Sequence, residues 1–127
     1  MNQVNVTNPI VLVVEDNEDA RYLMRLALER LGYRVCEAEN GAEAIVVADR
    51  EGPNVILMDI SMPVLDGLKA TARIREHPLM ATIPIIAVTA HQDTDLRAGA
   101  QASGFTAYVT KPIDFDWLND LIEGLLA

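Results

Sequence analysis

Three observations predict an α/β fold, a doubly wound parallel sheet of five strands. Five short runs rich in β-branched residues recur along the 127-residue chain. Several are continuously apolar rather than alternating, the pattern of parallel strands covered on both faces. Each run is followed by a stretch with helical spacing. Strand and helix alternating five times implies a parallel sheet with helices on both faces, because each crossover is right-handed.

The first strand is Ile10 to Val14. The helix after it begins near Asn17, a good cap residue, and aligns Ala20, Leu23, Met24, Ala27 and Leu31 at steps of three and four. Gly32 ends it. The second strand, Arg34 to Ala38, leads to a helix starting at Asn40. Glu43 three residues on resembles a capping box. Its expected buried stripe is Gly41, Ala44, Ile45 and Ala48, and Gly52-Pro53 stops it. The third strand is Val55 to Met58. Its helix starts at Asp66, aligns Gly67, Ala70, Thr71 and Ile74, and ends before Pro78. After the fourth strand, Ile85 to Val88, an Ala/Gly-rich helix around Thr94 to Ser103 has weakly specified packing. The fifth strand, Ala107 to Val109, precedes a helix that starts at Asp114 and aligns Leu118, Leu121, Ile122 and Leu125.

Composition narrows the function classes. Half the residues are hydrophobic and 23% are charged, ordinary for a globular chain. The length suits one domain, with residues 1–9 as a polar extension and 10–127 as the folded unit. A formal net charge of −9 at pH 7 runs against a nucleic-acid surface, which needs phosphate-neutralising Lys and Arg, and against an anionic membrane. The polar start MNQVNVTNP shows no signal peptide, and no apolar run approaches the roughly twenty residues of a membrane helix. A cytoplasmic protein is expected. The single cysteine, Cys36, cannot form an internal disulfide and reads as a small buried apolar residue.

In an open parallel sheet, ligands bind beyond the carboxyl ends of the strands. The first strand delivers Glu15 and Asp16 there, the third Asp59, the fourth Thr89 and the fifth Lys111, followed by Pro112. Any one of these is commonplace as a helix cap or solvated turn. Their joint placement on four strand ends argues for a site. Three carboxylates packed together repel one another unless a cation sits among them. Hard oxygen donors with room for water suit Mg²⁺. With Mg²⁺ and Lys111 the site becomes formally neutral, a receptor for an incoming phosphoryl group, which Asp59 attacks as a carboxylate nucleophile to give an acyl phosphate.

The segments Val13-Val14-Glu15-Asp16-Asn17, Leu57-Met58-Asp59-Ile60-Ser61-Met62-Pro63 with Asp66-Gly67, Val88-Thr89-Ala90 and Tyr108-Val109-Thr110-Lys111-Pro112 resemble the receiver domains of two-component response regulators. The resemblance runs from about Ile10 to Leu126. It implies a flavodoxin-like (βα)5 fold with strand order 2-1-3-4-5. By the same resemblance Asp59 is the phosphoacceptor, and Glu15 and Asp16 are the acid pair for Mg²⁺ with the backbone carbonyl of Ser61 as a further ligand. Thr89 is the switch hydroxyl, Lys111 the cation on the phosphoryl group, and Tyr108 the aromatic switch residue. A cis peptide bond precedes Pro112. Ser61 and His91 occupy positions that tune acyl-phosphate hydrolysis, His91 with a pH dependence around the ordinary imidazole pKa of about 6.5.

The leading expectation is therefore a stand-alone, phosphorylation-operated signalling module. It is not an enzyme beyond catalysing its own phosphorylation and dephosphorylation. A sensor histidine kinase or a histidine phosphotransfer protein is the donor. A downstream protein, or a second copy, reads the face of the fourth helix, fifth strand and fifth helix. Phe115 and Trp117 belong either to the core or to that face. An Asp-nucleophile phosphatase is the competing enzyme reading, but Ser61 stands where such enzymes carry a second, proton-transferring Asp. A flavodoxin-like cofactor carrier is opposed by the acidic run Glu15-Asp16-Asn17-Glu18-Asp19, which repels phosphate. A receiver-like module that binds partners without phosphorylation is opposed by the complete acid, Thr and Lys set.

Overall fold

The computed structural model describes residues 8–60, 67–89 and 104–127. Five parallel strands, β1 (Ile10–Val14), β2 (Arg34–Ala38), β3 (Val55–Asp59), β4 (Ile85–Thr89) and β5 (Ala107–Thr110), form one sheet in the order β2-β1-β3-β4-β5. Four described helices accompany them: α1 (Glu18–Arg30), α2 (Gly41–Glu51), α3 (Gly67–Glu76) and α4 (Phe115–Leu126). The helix expected around 94–103 and the cap Asp66 lie outside the described residues.

Strand alternation divides the core in two. Leu12 and Val14 of β1 and Ile56 and Met58 of β3 face α2 and α3, meeting Ala44, Val47, Ala48, Ala70 and Ile74. Val11 and Val13, with Leu57 and Val88, face the other way onto Met24 and Leu28 of α1 and Leu118 and Ile122 of α4. Both sheet faces are thus dry, which is why the strands read as unbroken apolar runs.

Local chemistry sets the helix ends. Asn17 Oδ1 accepts from the Ala20 N–H at 2.8 Å, and Glu18 and Asp19 place negative charge in the first turn of α1. Asn40 Oδ1 accepts from the Glu43 N–H at 2.8 Å, while Glu43 Oε1 reaches back to the N–H of Glu39, one residue before the cap. Gly52 closes α2 in the left-handed region at φ 58°, accessible to it because it lacks a Cβ. Asp114 Oδ1 caps α4 through the N–H groups of Asp116 and Trp117.

One expected stripe is corrected and one is extended. In α1 the buried pair is Met24 and Leu28, whereas Leu23 is 63% and Leu31 37% exposed. The sheet takes only a narrow stripe of this helix, so the step from 24 to 28 wins over the wider face through 23, 27 and 31. In α2 the expected Gly41, Ala44 and Ala48 are buried, Ile45 is half-buried, and Val47 joins them. Trp117 is exposed, and Phe115 packs partly against the α1/α4 core.

Arg75 straps the far end of the sheet. Its Nε donates to Gly104 O at 3.0 Å and its Nη1 to the carbonyls of Met80, Ala81 and Ile83 at 3.1, 3.2 and 2.6 Å. Its Nη2 reaches Thr106 Oγ1, which also accepts from the Ile85 N–H. The guanidinium thereby ties the end of α3 to the entries of β4 and β5. Arg75→Met is expected to lower unfolding free energy by about 2 kcal/mol in urea titration, since charged donors to several carbonyls are lost together.

Thr71 is fully buried in α3, and its Oγ1 has no hydrogen-bond partner among the described residues. An unpaired buried hydroxyl is destabilising, and valine has nearly the same shape. Thr71→Val is therefore expected to stabilise the fold by about 1 kcal/mol, raising Tm by roughly 3–5 °C. An unchanged or lower Tm contradicts the account.

Candidate functional site

Parallel register builds the site at the carboxyl rim. Val14 pairs with Met58, so Glu15 and Asp59 emerge side by side, one residue further on. Asp59 pairs with Val88, which sets Thr89 beside it, and Thr89 pairs with Thr110, which precedes Lys111. The Lys111 N–H donates to Thr89 O at 2.8 Å, and the Lys111–Pro112 peptide bond is cis.

Glu15, Asp59 and Thr89 are all buried; Asp16 is exposed. One carboxylate oxygen from each of Glu15, Asp16 and Asp59 falls within 4.8 Å of the others. Lys111 Nζ lies 3.0 Å from Glu15 Oε1 and 3.6 Å from Asp59 Oδ2. The second Glu15 oxygen accepts the N–H of Asn17 at 3.2 Å. Burial pulls the Lys111 ammonium down, but its hydrogen bond to Glu15 and the charge of Asp59 outweigh this, and its pKa stands above the ordinary value.

The donor set fits Mg²⁺. Three carboxylates against one ammonium leave a formal excess of two negative charges, which a divalent ion balances, and all donors are hard oxygens.

Tyr108 is half-buried against the core on the α2/α3 face. Ser61 and His91 lie outside the described residues. Cys36 is half-buried, and its thiol is pushed up to about 11, chiefly by burial and then by the charge of Glu51, so it stays protonated at neutral pH. Arg21 had no assigned role from sequence. Its Nη1 donates to the Glu15 carbonyl at 2.8 Å and its Nε to Glu37 Oε1 at 3.0 Å.

The sequence model of the response regulator receiver domain matches residues 11–123. The chain belongs to the response regulator receiver family. Receiver domains are phosphoacceptor signalling modules of two-component systems, working with histidine kinases or phosphotransfer proteins, rather than enzymes of the ordinary kind. Protein PilH of Pseudomonas aeruginosa is 37% identical to this receiver over 118 residues, covering 92% of this chain and 97% of that protein. The polar-differentiation response regulator DivK of Brucella anthropi is 35% identical over 116 residues, covering 91% and 94%. The receiver domain of a sensor histidine kinase from Pseudomonas aeruginosa PAO1 superposes with a TM-score of 0.88 at 34% identity, over 94% of this chain and 98% of that one. That structure has a magnesium ion coordinated in its active-site cleft. Among the described residues of this receiver, no helix is long and apolar enough to cross a membrane.

Proposed function

We propose that this receiver accepts a phosphoryl group from a phosphohistidine donor onto Asp59 and so shifts the conformation of a partner-binding face. The observation that carries the reading is the convergence of Glu15, Asp16 and Asp59 with Lys111 on one rim. Glu15, Asp16 and Asp59 are the side chains that hold Mg²⁺, with the Ser61 carbonyl as a further ligand. Bound there, Mg²⁺ supplies positive charge for the oxygens of the transferring phosphoryl group.

An Asp59 carboxylate oxygen attacks phosphorus and forms the new P–O bond. The P–N bond to the donor imidazole breaks, and that nitrogen keeps the electron pair and then takes up a proton. Lys111 meets the equatorial oxygens. The modified Asp59 carries roughly one more negative charge and additional acceptor oxygens. Thr89 and Lys111 gain contacts only in that state, and such differential contacts shift a two-state equilibrium. Tyr108 follows Thr89 inward, altering the face that a downstream protein or a second copy reads. His91 and Ser61 set the rate at which water removes the phosphoryl group.

The test is incubation with acetyl phosphate, read by intact mass. One phosphoryl group per chain is expected with Mg²⁺ present, and none after chelation. No gain with Mg²⁺, or an equal gain without it, overturns the reading.

A further inference from the structure

Glu15 is gripped at every polar group. Its N–H donates to Ala38 O at 3.1 Å, its carboxylate takes Lys111 and the Asn17 N–H, and its carbonyl accepts from Arg21 Nη1 at 2.8 Å. The last bond stands out, because Arg21 reaches it from α1 while holding something else. Its Nε donates to Glu37 Oε1, and the other Glu37 oxygen accepts from Arg25 Nη1 at 2.9 Å. The Arg21 side chain is only 15% exposed. One guanidinium therefore spans the main chain of the first acid and a carboxylate on the edge strand β2.

The register of β1 with β2 ends at Val14 and Ala38, so the Glu15 carbonyl lies past the last paired residue. A carbonyl on a buried residue needs a donor, and a charged donor gives a shorter, better-directed bond than water. The peptide group is planar. Fixing the direction of the Glu15 carbonyl therefore fixes where the Asp16 Cα begins, and with it the reach of an exposed carboxylate. We propose that Arg21, oriented by Glu37, is a positioning residue that holds the Glu15–Asp16 peptide plane so that both acids keep their metal-binding spacing from Asp59. This rests on the reading of Glu15 and Asp16 as the acids that hold Mg²⁺.

Charge alone predicts the opposite sign. Arg21 is a cation near a cation site, so a purely electrostatic role makes Arg21→Ala bind Mg²⁺ more tightly, whereas positioning makes it bind more weakly. Titration calorimetry of the unphosphorylated, metal-free protein with Mg²⁺ separates them. Arg21→Ala is expected to raise the Mg²⁺ Kd about tenfold, the usual scale for a group that orients a ligand. Glu37→Gln is expected to raise it about threefold, and to add nothing in the Arg21→Ala background, because Glu37 acts only through Arg21. Arg21→Lys keeps the charge but cannot fork between two partners, and should also lose about threefold. The lysine and glutamine variants carry the test if the alanine variant fails to fold. Unchanged or tighter Mg²⁺ binding in the variants, or full additivity of the Arg21 and Glu37 effects, overturns the proposal. A native protein that does not bind Mg²⁺ overturns the metal reading beneath it, a separate result.

Discussion

Asp59→Asn is expected to take up no phosphoryl group from acetyl phosphate under conditions where the native chain gains one, and yet to be the more stable protein without Mg²⁺. The first outcome follows from chemistry: a neutral amide oxygen is a poor nucleophile and gives no acyl phosphate. The second follows from charge. Asp59 is buried, with carboxylate oxygens of Glu15 and Asp16 within 4.8 Å, and Lys111 Nζ lies 3.6 Å from its Oδ2. At an effective dielectric constant of about 20, each repulsion is on the order of 3 kcal/mol and the attraction about 5. Exposure of Asp16 screens one repulsion, but the neutral amide also escapes the cost of burying a charge, so the net relief is about 1 kcal/mol, a rise in Tm of roughly 3 °C in chelator. Saturating Mg²⁺ reverses the order, because the native protein gains binding free energy that the variant has largely lost. Thermal melts with chelator and with Mg²⁺ should therefore cross. Phosphoryl gain that survives in Asp59→Asn refutes Asp59 as acceptor, and parallel melts refute the shared cation site.

The sheet was legible because each strand is buried on both faces. Val11-Leu12-Val13-Val14 and Val55-Ile56-Leu57-Met58 can hardly be read otherwise. Strand ends were less so. Asp59, Thr89 and Thr110 are polar and read as loop, yet they are the last residues of β3, β4 and β5. The chemistry of the rim sits on the ladder itself, and this rigidity helps Asp59 and Thr89 to be buried. Side chains that act at long range were invisible. Arg21 in the opening turn of a helix, or Arg75 near the end of one, reads as a solvated charge. Their partners, the Glu15 carbonyl and the carbonyls of Gly104 and Ile83, are main-chain atoms with no sequence signature. The only local hint for Arg21 was Glu15 six residues before it, with a further acid on the neighbouring strand. The wrong stripe of α1 has a similar origin, since Leu23 and Leu28 both fit helical spacing and only the neighbouring sheet selects between them.

Lys111→Met is expected to split three properties that usually move together. Phosphorylation by acetyl phosphate should fall by about a hundredfold or more, the scale for removing a charged group from developing negative charge. Stability should also fall. The buried Glu15 carboxylate loses its ammonium and keeps the Asn17 N–H. A buried carboxylate left without its cation is strongly destabilising, but Lys111 is about one-third exposed, so the loss is about 2 kcal/mol. The pH dependence identifies the source. Lys111 titrates higher in the folded chain than its ordinary 10.5, because its bond to Glu15 and the charge of Asp59 outweigh burial. A raised folded pKa means that its stabilisation is fully present below the unfolded value and is lost as pH rises through the folded one. Denaturant titrations of native and variant chains should therefore differ by the full amount up to the ordinary lysine value of 10.5 and converge only as pH rises through the higher folded one. Mg²⁺ affinity should move the other way and tighten, because a positive charge has left the rim. A lysine that merely braced the fold predicts weaker Mg²⁺ binding alongside the lost stability. Tighter metal binding with poorer phosphoryl transfer is the signature of a cation that serves the transferring group.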